Sequence, residues 1–259
     1  YHNASTGKYA LVTLTERYNG LGNPKVTVID RRTIASREKR ENGYNADTRY
    51  LSTYLLRRLQ ETIASGEQAI LFQNRRGYSS RMECLECGYT PLCPDCNVTL
   101  TYHKGKDRLE CHYCGHAEKA VRRCPSCGSH NITTEGIGTE NIEEKIARFI
   151  PEARVVRLDA DITRSKRELG EVLRKISAHE ADIIIGTQMI SKGFDFDNIG
   201  LVGVVNADNL LCFPDFRASE HTFQLLVQIA GRMCRGGSRG ELIIQSSHDI
   251  RRIVGDVIN

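Results

Sequence analysis

Cys84-Leu-Glu-Cys87, Cys93-Pro-Asp-Cys96, Cys111-His-Tyr-Cys114 and Cys124-Pro-Ser-Cys127 place eight of the ten cysteines of this chain in four Cys-x-x-Cys pairs. Two residues between thiols let one tight turn aim two sulfurs at a single tetrahedral ion, so four pairs supply two closed four-cysteine zinc sites. A disulfide framework suits a short secreted domain and fits poorly a chain of 259 residues with no visible signal peptide. Iron–sulfur clusters also use four thiolates, but the turns Cys-Pro-Asp-Cys-Asn and Cys-Pro-Ser-Cys-Gly have the knuckle form of zinc ribbons.

The sequence also argues which pairs share an ion. Cys96 and Cys111 are joined by residues 98–103, a Lys104-Gly-Lys-Asp turn and residues 108–110, which read as a β-hairpin. A hairpin sets its ends side by side. Cys93, Cys96, Cys111 and Cys114 are therefore expected on one zinc, and Cys84, Cys87, Cys124 and Cys127 on the other, the two sites nested. His103, His112 and His116 lie nearby, but eight sulfurs already fill both tetrahedra, so these histidines are expected at the surface.

Composition sets the outer bounds. Hydrophobic residues make up 40% of the chain with no long apolar run, which suits a soluble protein of one or two domains and no membrane span. The formal charge of +4 is cancelled if each zinc with its four thiolates carries about −2, so net charge neither favours nor excludes nucleic acid. Reduced thiols beside metal point to a cytoplasmic setting, and a monomer is expected.

Outside the cysteines the chain has an α/β rhythm. Residues 9–15 and 25–30 read as strands, and residues 47–65 as an amphipathic helix with Leu51, Leu55, Leu59 and Ile63 recurring every four positions before Gly66. Residues 69–72 form a short apolar strand, followed by Gln73-Asn-Arg-Arg-Gly-Tyr78 at the end where open α/β sheets hold ligands. Arg75, Arg76 and Tyr78 suit a phosphate backbone and a stacked base, and solvated loop arginines fit the same pattern. After the cysteines come helix 141–150, strand 154–158, helix 166–178 with a Ser165/Glu168 capping box, strands 182–185, 202–205 and 242–245, and a helix from about 220 to 233. Apolar runs alternating with amphipathic helices predict a mostly parallel sheet covered on both faces. The expected division is residues 1–80 and 131–259 in one α/β lobe, with residues 81–130 as an inserted zinc-ribbon-like module.

Two stretches carry further chemistry. Residues 186–196 leave a strand with Gly186-Thr187 and end in Gly193-Phe194-Asp195-Phe196, so Thr187 suits a DNA-backbone phosphate, and Gly193 with Asp195 a nucleotide ribose; a structural loop would hold the same residues. On the helix from 220, Phe223, Leu226, Val227 and Ala230 read as the core stripe, while Gln228, Arg232 and Arg235 fall together on another face. Guanidinium groups presented away from a core are suited to act as arginine fingers, neutralising charge in nucleotide hydrolysis; a solvated basic helix end is the plainer reading.

Gln228-Ile-Ala-Gly231-Arg232-Met-Cys-Arg235 resembles motif VI of superfamily 2 helicases, and the stretch from Gly186 to Asp195 resembles their motif V. Together with Asn74-Arg-Arg-Gly-Tyr78, the four cysteine pairs, Gly138-Thr-Glu140 and Asp215-Phe-Arg-Ala-Ser-Glu220, they are similar to the bacterial replication-restart helicases of the PriA (primosomal protein N′) family over residues 9–248. The resemblance implies RecA-like lobes, ATP and magnesium held between two of them in the intact enzyme, and 3′ to 5′ movement on forked or single-stranded DNA. It also implies contact with single-stranded-DNA-binding protein and other primosome proteins in the bacterial cytoplasm. Only the second lobe is matched: no Gly-x-x-x-x-Gly-Lys-Ser/Thr loop and no Asp-Glu-x-His box occurs, so a catalytically inactive fragment is expected. Met233-Cys234 stands where the family has Ala-Gly, which loosens the analogy for Arg235. The alternative is a non-catalytic zinc-ribbon module that binds DNA or protein.

Overall fold

The computed structural model describes residues 2–12, 24–32, 50–73, 81–134, 138–159, 165–190, 196–213, 215–231, 233, 240–250 and 255. Along the chain these form α1 (His2–Ser5), β1 (Lys25–Asp30), α2 (Thr53–Ala64), β2 (Gln68–Phe72), β3 (Glu83–Cys84), β4 (Thr101–His103), β5 (Arg108–Glu110), β6 (Ala117–Lys119) and β7 (Ile132–Thr133). There follow α3 (Thr139–Phe149), β8 (Val155–Leu158), α4 (Lys166–Ser177), β9 (Ile183–Gly186), β10 (Ile199–Val204), α5 (Asp208–Leu211), α6 (Ala218–Ala230) and β11 (Glu241–Ser246).

Six strands pair in parallel in the order β1-β11-β10-β2-β9-β8. Their continuous apolar runs follow from cover on both faces: Ile70, Phe72, Ile184, Val202, Val204, Leu242 and Ile244 point into one core layer, and Ala69, Leu71, Ile183, Ile185, Leu201 and Ile243 into the other. Ile176 of α4 and Leu225, Leu226, Ile229 and Ala230 of α6 close the first layer; Leu55 and Leu59 of α2 and Ile142 and Ile146 of α3 close the second. Burying each of the valine, leucine, isoleucine and phenylalanine side chains contributes about 1.5–3 kcal/mol. Among the described residues no helix is long and apolar enough to cross a membrane.

The cysteine-rich segment enters between β2 and α3 with two small antiparallel sheets, β3-β7 and β4-β5-β6. The expected hairpin is β4 and β5, paired from Thr101↔Glu110 to His103↔Arg108 across a short 3-10 turn closed by Asp107 at φ +45. The third strand, β6, was not foreseen: it pairs with β5 although all three of its residues are exposed, so it carries no apolar signal.

Three local expectations are corrected. Residues 9–12 are not a strand, and 13–15 lie outside the described residues. Helix α2 begins at Thr53, not at 47, because Ser52 takes a non-helical backbone (φ −59, ψ 149) and its hydroxyl caps Leu55 N. On α6 the buried stripe is Thr222, Leu225, Leu226, Ile229 and Ala230; Val227 is 43% exposed and Phe223 only half-buried.

Candidate metal centres and the sheet edge

All four cysteine pairs are built alike. The N–H of Cys84, Cys93, Cys111 and Cys124 donates to the carbonyl of Tyr89, Val98, His116 and Ser129, and each cysteine's carbonyl accepts from Gly88, Asn97, Gly115 and Gly128, at 2.8–3.0 Å throughout. The turn closes only if that last residue is left-handed, with φ +75, +54, +78 and +74. Glycine adopts this region freely and asparagine tolerates it, which is why those residues stand there.

The knuckles bring Cys84, Cys87, Cys124 and Cys127 together in one group and Cys93, Cys96, Cys111 and Cys114 in another, every sulfur within 4.8 Å of the rest of its group. Sγ–Sγ distances are 3.6 Å for Cys84–Cys127 and 3.5 Å for both Cys87–Cys124 and Cys93–Cys114. Four Zn–S bonds of about 2.3 Å give tetrahedral edges of about 3.8 Å, whereas a disulfide would draw sulfurs to about 2.05 Å. The thiols are unbonded and spaced for a tetrahedral ion. In each group the first cysteine of a pair is buried and the second is partly or fully exposed. Burial pushes the Cys111 and Cys124 thiols up, but amide N–H groups of their own knuckles outweigh it and bring both to about 7. Of the neighbouring histidines, His112 is exposed and His103 and His116 half-buried; His103 and His112 stack with centroids 5.3 Å apart.

The stretches singled out for DNA and nucleotide leave the sheet side by side. β2 and β9 are neighbours with Phe72 opposite Gly186, and Gln73 N donates to Gly186 O at 2.9 Å. Thr187, buried, directly follows the Gly186 that accepts from Gln73, at the carboxyl edge of the sheet. Gln228 is exposed on α6. Arg75, Arg76, Tyr78, Gly193, Asp195, Arg232 and Arg235 lie outside the described residues. Met233 is absorbed in the core, 1% exposed.

At the same edge sits a group of charges that local pattern did not reveal. Asp208, 1% exposed, accepts from Arg31 Nη1 at 3.2 Å, Ser246 Oγ at 2.5 Å and Ser247 N at 2.9 Å, and lies 3.1 Å from His248 Nδ1. Arg81 donates through Nη1 to the Asp208 carbonyl at 2.7 Å and through Nη2 to Glu83 Oε2 at 2.6 Å, while Arg31 Nη1 is 3.7 Å from Glu83 Oε1. A signal for this existed only in part: Asn206-Ala-Asp208 puts a carboxylate just past a wholly apolar strand, where a lone charge needs a partner.

Comparison with known proteins fits this architecture. Residues 93–119 match the PriA DNA helicase Cys-rich region (CRR) domain, and residues 130–237 match the helicase conserved C-terminal domain. Replication restart protein PriA of Bacillus subtilis is 46% identical over 246 residues, covering 95% of this chain and 30% of that protein. The proteins of the same name from Rickettsia conorii and Treponema pallidum are each 39% identical, covering 95% and 93% of this chain and 37% and 34% of theirs. The chain thus spans about a third of the length of these relatives. Carrying both the cysteine-rich region and the helicase C-terminal domain, the chain belongs to the PriA family of replication restart proteins.

Proposed function

We propose that the chain is the second motor lobe, with its zinc-bearing insertion, of an ATP-dependent DNA helicase that moves 3′ to 5′, restarts stalled replication forks and begins primosome assembly. The observation that carries this is the union of two four-sulfur groups with a doubly covered parallel sheet in one chain matched to a helicase C-terminal domain. In this reading residues 81–130 are a module inserted into a lobe made of 1–80 and 131–259. The eight cysteines hold two zinc ions, whose part is structural: each clamps two knuckles that supply little apolar surface of their own.

The lobe's own residues divide the work at its edges. Arg75, Arg76, Tyr78 and Thr187 engage the DNA strand, because their segments emerge from adjacent strands β2 and β9. Gln228, Arg232 and Arg235 face the nucleotide, with Gly193 and Asp195 at its ribose. ATP and magnesium are supplied to this face by a partner lobe of the intact protein, which also contacts single-stranded-DNA-binding protein and other primosome proteins in the cytoplasm. The test is strand separation by the intact protein on forked DNA, beside ATP turnover by this chain alone. Unwinding by the intact protein and none by the chain is expected. Turnover by the chain that survives repurification overturns the half-site reading. An intact protein that binds DNA without hydrolysing ATP favours a non-catalytic zinc-ribbon module.

A further inference from the structure

The buried charges at the carboxyl edge of β1, β10 and β11 meet one cysteine group and not the other. β3 carries Glu83 and then Cys84, so the carboxylate held by Arg31 and Arg81 adjoins the first ligand of the outer group. The same knuckle is seated on the lobe a second time. A Cβ added at Gly88 would fall 2.4 Å from Ser247 Cβ, and Ser247 N donates to Asp208. Residues 93–119, which contain the inner group, make no hydrogen bond or ion pair to the six-stranded lobe among the described residues. Their buried residues Cys93, Val98, Leu100, Leu109 and Cys111 pack in a small core with Met82, against which Ile132 also rests.

We infer that the two cysteine groups have separate duties: the outer one, Cys84/Cys87/Cys124/Cys127, is a clamp belonging to the motor lobe, and the inner one folds only the tip. The clamp acts through Glu83, Arg31, Arg81 and Asp208 to hold α5 and the turn Ser246–His248. α5 packs against α6, the helix that bears Gln228. Asp208 is the positioning residue of this joint. Its carboxylate gathers three donors and one imidazole, and its backbone N–H is capped by Asn206 Oδ1 at 3.1 Å. If the outer knuckles spring apart, Glu83 leaves two buried guanidinium groups short of a partner, and a buried charge without its partner cannot hold its place.

This rests on the reading that the groups hold zinc, and the experiment separates the two claims. Amide hydrogen exchange is followed by peptide in the intact, zinc-loaded protein, with metal content measured in the same samples. Cys127→Ser, at an exposed position of the outer group, is expected to speed exchange in peptides over 204–213 and 246–250 by about tenfold or more, with 101–110 unchanged. Cys114→Ser, at an exposed position of the inner group, is expected to do the reverse. Glu83→Gln keeps all eight thiols and both metals and is expected to loosen the same 204–213 peptide. Equal effects of the two cysteine variants, or no effect of Cys127→Ser on 204–213, overturn the division of duties. A silent Glu83→Gln overturns the joint. Protein with no zinc in either group overturns the metal reading, and Glu83→Gln then still reports on the ion pairs by themselves.

Discussion

Asp208 Oδ1 lies 3.1 Å from Nδ1 of His248, joining the helix after β10 to the turn after β11. The Asp208 carboxylate, with a further contact from Cys212 Sγ, raises the His248 imidazole from its usual 6.5 to about 10 against the opposing effect of burial. Burial pushes the Asp208 carboxyl up, but His248, Arg31 and Ser246 outweigh it and hold the group well below the ordinary carboxylate range.

A folded-state value above the unfolded one means that the protonated imidazole stabilises the fold. That contribution is complete below pH 6.5 and fades as the pH rises toward 10. His248→Gln is therefore expected to lower the urea midpoint clearly at pH 6 and hardly at all above pH 10. The His248 side chain is 41% exposed, so water screens part of the pair. Urea titrations at pH 6, 8 and 10 check this; a deficit that stays constant with pH makes the role of His248 one of packing.

Gln245 offers a test inside the sheet. Its Oε1 accepts from Ser52 N at 2.9 Å, and its Nε2 donates to Tyr50 O at 2.6 Å and Val205 O at 3.0 Å, at a residue 1% exposed. Leucine has nearly the same volume but leaves one amide and two carbonyls unpaired, so Gln245→Leu should destabilise the lobe by roughly 3 kcal/mol. The amide of Ser52, which caps α2, should lose exchange protection first. A loss below about 1 kcal/mol would mean that water reaches those groups.

The metal reading makes a stoichiometric prediction. Two zinc ions per chain are expected, and Cys93→Ala should release the one shared with Cys111 while the group around Cys84 keeps its own. One zinc per chain, or loss of both from Cys93→Ala, refutes the two nested sites.

What could be read in advance divides by range. The strands were legible because Ile183-Ile-Ile-Gly186 and Glu241-Leu-Ile-Ile-Gln-Ser246 are buried on both faces and so lack polar interruption. The grouping of the cysteines was legible because the Lys104–Lys106 turn is local and places Cys96 and Cys111 at neighbouring ends. The face of α6 was not, since Leu225, Leu226, Val227 and Ile229 give two overlapping stripes and packing alone chose between them. Nor was the hub: Arg31 meets Asp208 across 177 residues, and no local period encodes such a pairing.

Arg232 carries the sharpest prediction for the intact protein. It follows Gln228 by four positions and Gly231 by one, and Gln228 projects from the lobe on a helix whose opposite face is core. An arginine that acts on charge developing in the transition state affects turnover more than binding. Such fingers contribute on the order of 10³ or more in rate. Arg232→Ala should abolish DNA-stimulated ATP hydrolysis while single-strand DNA affinity and zinc content stay as they were. Arg232→Lys should recover little, because a point charge lacks the planar fork that grips two phosphate oxygens at once. Near-normal ATPase together with lost DNA affinity would instead make Arg232 a contact to the DNA backbone, and nucleotide hydrolysis would have to draw its cation from Arg235.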